Sequence, residues 1–345
     1  MSLSDSSTNP NPVQITEDEA ALYDRQIRLW GLDAQQKMRN ATILIIRLNG
    51  TATETVKNIV LAGVGRILIL DEKNVSQEDL GAGFFFRDED VGKHRAEAAK
   101  PRIQSLNPLV QVDAITSSSP ADLEGLKGIL SSESVDLVCA TDFPRDYLIQ
   151  VNDICRQSGK SFYAGGTYGL LGYIFCDLLI HHYISPDRNS GSKEGPPKNI
   201  KVSAAYPPLS EALHYKWAEL SKRQTKELNP AAIFTILAVW EFESRKGILP
   251  TNPEDLTELE ALTQALIATT GVNPQVLSKP PSDLLRTVPT SVSHEFSPIC
   301  AIIGGILAQD ILKALAAREP PIANMFAFDG NTGRGTVCRM NMGPV

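Results

Sequence analysis

The segment 41–48, ATILIIRL, does most to narrow what this chain can fold into. It is apolar, rich in β-branched residues and shows no polar alternation. A strand of that kind must be covered on both faces, as in a parallel sheet flanked by helices. Asn49-Gly50 then makes a turn, 53–61 reads as a helix, and 66–70 is a second apolar strand closing on Asp71. The rhythm continues with a helix over 92–106, strands over 110–115 and 135–140, Asp142 just beyond, a helix over 144–157 and a strand over 161–164. Strands alternating with helices at this spacing predict an α/β fold with a doubly wound, Rossmann-like, mostly parallel sheet.

Upstream, Thr16 and Glu19 have the spacing of a capping box for a helix that carries 23–30, breaks near Gly31 and resumes over 33–39. Downstream of Gly165 the rhythm changes. Strands are expected within 168–180, a Ser/Gly/Pro/Lys-rich loop over 185–198, and helices over 210–228, 230–246 and 255–269. A helix over 297–317 and a strand over 324–329 return to the sheet. We therefore divide the chain into a disordered tail (1–15), a first Rossmann-like part (16–185), a mainly helical insertion (186–289) and a returning part (290–345).

Composition excludes more than it identifies. A formal net charge of −7 argues against a surface that wraps nucleic acid. No apolar stretch reads as reaching the roughly 20 residues that cross a bilayer, so no membrane partner is expected. Residues 1–14 lack the apolar centre of a signal peptide. The five cysteines, at 139, 155, 176, 300 and 338, include no CxxC pair, so they read as reduced thiols of an intracellular protein rather than a zinc site or a disulfide framework.

A strand, a Gly-rich turn, a helix and an acid at the end of the next strand form a nucleotide cradle. Glycines let the backbone approach the phosphates, the helix N-terminus attracts their charge, and the acid holds ribose hydroxyls. This chain has the architecture without the glycines. Its loop reads Arg47-Leu-Asn-Gly50-Thr-Ala-Thr53, and an arginine occupies the first glycine position, where its side chain crowds the phosphate space. The loop reads as decayed, no nucleotide or metal is expected on this chain, and Asp71 reads as a leftover strand-end acid.

Several stretches carry a resemblance: Tyr23-Asp-Arg-Gln-Ile-Arg-Leu-Trp-Gly31, Lys57-Asn-Ile-Val-Leu-Ala-Gly-Val64, Val91-Gly-Lys-His-Arg-Ala-Glu-Ala98, Ser105-Leu-Asn-Pro108 and Thr167-Tyr-Gly-Leu-Leu-Gly-Tyr173. Two more, at 297–310 (SPICAIIGGILAQD) and 326–330 (FAFDG), complete an ordered set over nearly the whole chain. Together they resemble the ubiquitin-type activating enzymes and the bacterial adenylating enzymes of thiamine and molybdopterin synthesis. Within that family the set is most similar to the small-subunit branch of the heterodimeric SUMO-activating enzymes.

The resemblance implies a ThiF-like adenylation fold in which two related halves pair and one half adenylates. This chain departs from the competent half. Besides the loop, 75–84 lacks the family's Asn-Leu-x-Arg run although Arg87 stands nearby, Arg95 stands near the catalytic lysine's position, and Phe143 follows Asp142 where a polar residue is usual. By resemblance the partner is a large catalytic subunit carrying ATP, magnesium, zinc and the thioester cysteine, the modifier is SUMO, and the location is the nucleus and also the cytoplasm. The family also implies an arginine reaching from the N-terminal helix into the partner's ATP site. Arg25 matches that position and Arg28 is the weaker candidate. The alternative for Arg25 is a surface ion pair with Asp24 or Glu19. Rival readings are the corresponding subunit for the NEDD-type modifier, a scaffold without the trans arginine, a self-sufficient homodimeric adenylating enzyme and an NAD-dependent oxidoreductase. The lost glycines and lysine weigh against the last two.

Other residues carry less. Trp30 suits an interface or a core anchor, and Gly304-Gly305 suits close helix packing in the core or at a dimer interface. Cys300 reads as a packed thiol. His181 and His182, adjacent on a strand, point to opposite faces and make a poor metal pair. Lys193, Lys198 and Lys201 read as a solvated loop rather than an import signal.

Overall fold

The computed structural model describes residues 12–186 and 199–343. The chain opens with α1 (Glu17–Leu22), α2 (Asp24–Trp30) and α3 (Leu32–Asn40). Thr16 and Glu19 form the capping box expected of them. Gly31, at φ 89°, turns the chain between α2 and α3 in a conformation that other residues rarely adopt. Most of the 1–15 tail lies outside the described residues; Val13 and Ile15 hydrogen-bond through their backbone N–H groups to Asn40 and Gln36 of α3.

The alternating part follows as β1 (Thr42–Ile46), α4 (Gly50–Leu61), β2 (Arg66–Leu70), the single turn α5 (Asp79–Ala82), α6 (Arg95–Leu106), β3 (Gln111–Ile115), α7 (Leu123–Ser132), β4 (Leu137–Thr141), α8 (Arg145–Gln157) and β5 (Ser161–Tyr168). Then come β6 (Leu171–Asp177), the hairpin β7 (Ile180–Pro186) and β8 (Asn199–Ala205), and the short helices α9 (Leu209–Ala212) and α10 (Lys222–Glu227). The long helices α11 (Pro230–Lys246) and α12 (Asp255–Thr270), the short α13 (Ser282–Leu285) and α14 (Val288–Ser291), α15 (Ser297–Ala316), β9 (Met325–Asp329) and β10 (Arg334–Cys338) close the chain.

Eight strands form one sheet in the order β10-β9-β6-β5-β4-β1-β2-β3. The β3-β2-β1-β4-β5 portion is parallel, and β6, β9 and β10 join antiparallel. Every residue of β1 is buried. Leu44 and Ile46 enter a core shared with α7, α8, α11 and α12, whereas Ile43 and Ile45 enter a second core under α4, α6 and α15. Coverage on both faces is why this strand carries no polar alternation.

Three features depart from the sequence reading. The expected helix over 210–228 is broken between α9 and α10, because Trp217 is buried and its N–H donates to the Thr270 carbonyl at 2.8 Å. The β7–β8 hairpin and edge strand β10 expose most of their residues, and so carry no apolar period to read. Finally, α15 is 20 residues long with mean hydropathy 1.8, which does reach membrane-spanning length and apolarity. Here it is a core helix, 61% of that window lying buried against α4 and the sheet.

β1 and β4 are neighbours whose connections leave in opposite directions, to β2 and to β5. That reversal opens a crevice at their carboxyl ends, the usual ligand position of a doubly wound sheet.

Candidate functional site

Arg47 follows β1 and Asp142 follows β4, so the fold brings the two to one cavity of about 580 Å³. Both stand in the left-handed backbone region, at φ 69° and 52°. Arg47 thus keeps a conformation natural to the glycine its position lacks. Its guanidinium lies 3.7 Å over the Phe143 ring and donates to the Asp142 carbonyl. The cation is therefore folded onto the chain's own surface instead of facing a ligand.

The remaining parts of the cradle are also engaged from within. Asp142 is half-buried, its loss of solvent pushes its carboxyl above the usual range, and its oxygens accept from the Thr167 N–H at 2.7 Å and from the Asn49 side chain. Asn49 also caps α4 by accepting from the Ala52 N–H. Asp71 spends both oxygens on the backbone, accepting from Leu48 N–H at 2.7 Å and Lys73 N–H at 2.8 Å. It ties the loop after β1 to the end of β2. Arg95 forks onto Asp79, with contacts of 2.6 to 3.0 Å in a buried pair. Arg87 donates to the Phe84 and Phe86 carbonyls.

The first N–H of α4, that of Gly50, donates to both Glu295 oxygens, at 3.1 and 3.2 Å. Burial, then the nearby Asp142 charge, pushes the Glu295 carboxyl up to about 7. Glu243 also lines the cavity and burial raises its carboxyl. A nucleotide with its magnesium does not fit this set: the helix N-terminus holds a carboxylate, both strand-end acids are bonded internally, and the cation in the lysine's neighbourhood is paired.

A second arrangement lies on the outside. Tyr23, at the start of α2, is 3% exposed. Its hydroxyl accepts from the Asn107 amide at 2.7 Å, and Asn107 also donates to the Val60 carbonyl. A side chain at Gly63 would lie 2.4 Å from the Tyr23 ring. Three of the quoted motifs therefore meet to seat α2. Arg25 is exposed on that seated helix. The two acids that could have paired with it are taken by other arginines. Asp24 pairs with Arg28 at 2.9 Å, and Glu19 with Arg39 at 2.9 Å. Leu22, Leu29 and Leu32 are exposed nearby in sequence, at 64%, 70% and 53%.

The other sequence candidates fall into place. Trp30 is partly buried against the core under α4. Gly304 faces α4, where a Cβ would lie 2.6 Å from that of Glu54, whereas Gly305 faces open space. Cys300 is buried and its thiol is pushed up to about 12. His181 stacks on Tyr183, while His182 contacts Ser203 across the hairpin. Lys193 and Lys198 lie outside the described residues; Lys201 is on β8. Sequence reasoning missed Glu295, Glu243 and Asp79. Glu295 and Gly50 are 245 residues apart, and no local spacing connects them.

Comparison with known proteins gives the family and supports the fold. The ThiF family model matches residues 23–344. SUMO-activating enzyme subunit 1 of Rattus norvegicus is 36% identical over 342 residues, covering 94% of this chain and 95% of the rat protein. The protein of that name from Homo sapiens is 35% identical with the same coverage, and that from Xenopus laevis is 33% identical, covering 94% and 96%. Among solved structures, that of E. coli MccB with succinimide superposes with a TM-score of 0.55 at 13% identity, covering 94% of this chain and 73% of MccB. That likeness speaks for the fold alone.

Proposed function

The chain belongs to the ThiF family, and from that premise we propose that it is the non-catalytic, pseudo-adenylating subunit of a heterodimeric activating enzyme for SUMO. The names of its 33–36% identical relatives supply the modifier and imply a further subunit. In this reading the larger partner holds ATP, magnesium, zinc and the thioester cysteine, and this chain contributes a fold, an interface and one arginine. SUMO and the nuclear and cytoplasmic location rest on resemblance.

The observation that carries the reading is the state of Arg25. Attack of a carboxylate on the α-phosphate gathers negative charge that a positioned guanidinium stabilises. A guanidinium already paired in its own chain is poorly placed for that work. Arg25 is exposed and, among the described residues, has neither an ion pair nor a hydrogen bond, while Arg28 beside it is paired. The exposed leucines of α2 and α3, with exposed Ala301 and Ile302 on α15, supply apolar surface for a partner.

The test is an Arg25→Ala chain assembled with the larger subunit and assayed for modifier-dependent ATP–pyrophosphate exchange. We expect a loss on the order of 100-fold, the size seen when one transition-state donor is removed, with assembly unchanged. Undiminished exchange would leave this chain a scaffold only.

A further inference from the structure

The N-terminus of α4 is occupied although space remains beside it. The cavity is about 580 Å³, and Arg47, Lys73 and Arg95 line it. Arg47 and Arg95 are already engaged within the chain, so what an arriving anion meets at the helix end depends on the acids there. Asp142 and Asp79 are bonded to other groups of the pocket, and Glu78 and Glu243 line it without a hydrogen bond to the first N–H groups of α4. Glu295 alone among these five stands on the α4 N-terminus, where its carboxylate accepts the Gly50 N–H through both oxygens.

A helix N-terminus favours an anion, and a carboxylate meets that preference as a phosphate does. Gly50 is the one glycine left in the loop, and the geometry explains why. A Cβ there would lie 3.2 Å from Glu295 Oε2, 3.1 Å from Cys300 Sγ and 2.9 Å from Ala82 Cβ. A side chain there would crowd Ala82 first, then Cys300 and the Glu295 carboxylate.

We propose that Glu295 is an internal anion standing in the place of a nucleotide phosphate at the α4 N-terminus, and that it keeps phosphate from that helix end. The proposal rests on the reading of this chain as a pseudo-adenylating half. It assigns the blocking of the helix end to a residue 245 positions away from the loop.

The experiment uses the full-length chain and inorganic pyrophosphate as the probe, by isothermal titration calorimetry at about pH 8, above the range in which Glu295 titrates. Wild type is expected to show no saturable binding. Glu295→Ala, which clears both charge and bulk, should bind at least about tenfold more tightly than the limit set for wild type, the equivalent of one recovered anion contact. Glu295→Gln, which keeps the shape and removes the charge, should gain less. Folded Glu295→Ala that does not bind would overturn the proposal and leave the pseudo-adenylating reading standing. Should the alanine variant fail to fold, the glutamine variant decides alone: saturable binding supports the proposal and none overturns it. Saturable binding by wild type would instead sink the reading beneath.

Discussion

In the crevice at the ends of β1 and β4, Arg47 is stacked on Phe143 and bonded to a carbonyl, Arg95 is forked onto Asp79, and Glu295 sits on a helix N-terminus. On α2, a helix seated through Tyr23, Arg25 stands in solvent with its nearest acids assigned to Arg28 and Arg39. The same residue type is thus consumed in one region and spared in the other. Charges turned on one another are held in place by the fold, whereas an unpaired one is open to a group from outside. On the function proposed above, the chemistry this chain lends is then on its outer face and the pocket is structural.

That contrast can be broken at its strongest point first. Arg95 and Asp79 are 9% and 4% exposed. Arg95→Ala leaves a buried carboxylate without its partner, and we expect about 3–5 kcal/mol of stability to be lost by thermal or urea unfolding. A loss under about 1 kcal/mol would mean the pair is solvated and still available, contrary to the contrast drawn here.

A smaller effect concerns pH. The folded chain holds the Glu295 proton up to about 7, whereas an unperturbed glutamate releases it near 4.5. The folded state therefore binds more protons between those values, and this group's contribution falls as pH rises from about 4.5 to 7 and is level beyond. Asp142, Asp79 and Arg95 are the charges that act on it. Glu295→Gln should flatten that part of the profile of melting temperature against pH, and an unchanged slope would remove Glu295 from the set of buried acids.

The smallest effect belongs to Arg28. Its pair with Asp24 is of the i,i+4 kind, with side chains 78% and 49% exposed. Arg28→Ala should cost no more than about 0.5 kcal/mol and leave exchange by the assembled enzyme near wild type. A loss as large as that of Arg25→Ala would make the helix, rather than one guanidinium, the contributing unit.

Much of this was legible in the sequence because it is local. The β1 segment announced a doubly covered strand by its unbroken apolar run, and the place of Arg47 at the end of that strand could be read from its position. Thr16 and Glu19 declared their cap through a three-residue spacing. Arg25 could be singled out by the motif around it, but not its freedom from Asp24 and Glu19, which depends on where Arg28 and Arg39 point. The groups that close the pocket were not legible. Glu295 reaches Gly50 only because α15 packs on α4, and Asp79 finds Arg95 across a turn with no periodic pattern. Strands β8 and β10 escaped for a different reason: strands that bury little show little pattern.

Modifier-dependent ATP–pyrophosphate exchange, measured on this chain alone, on the larger subunit of a SUMO-activating enzyme alone and on the two mixed, tests the central claim most directly. The account predicts exchange in the mixture and none by this chain alone. Exchange by this chain alone would contradict it, because a working nucleotide site would then exist where the structure holds Glu295, Arg47 and the Arg95–Asp79 pair.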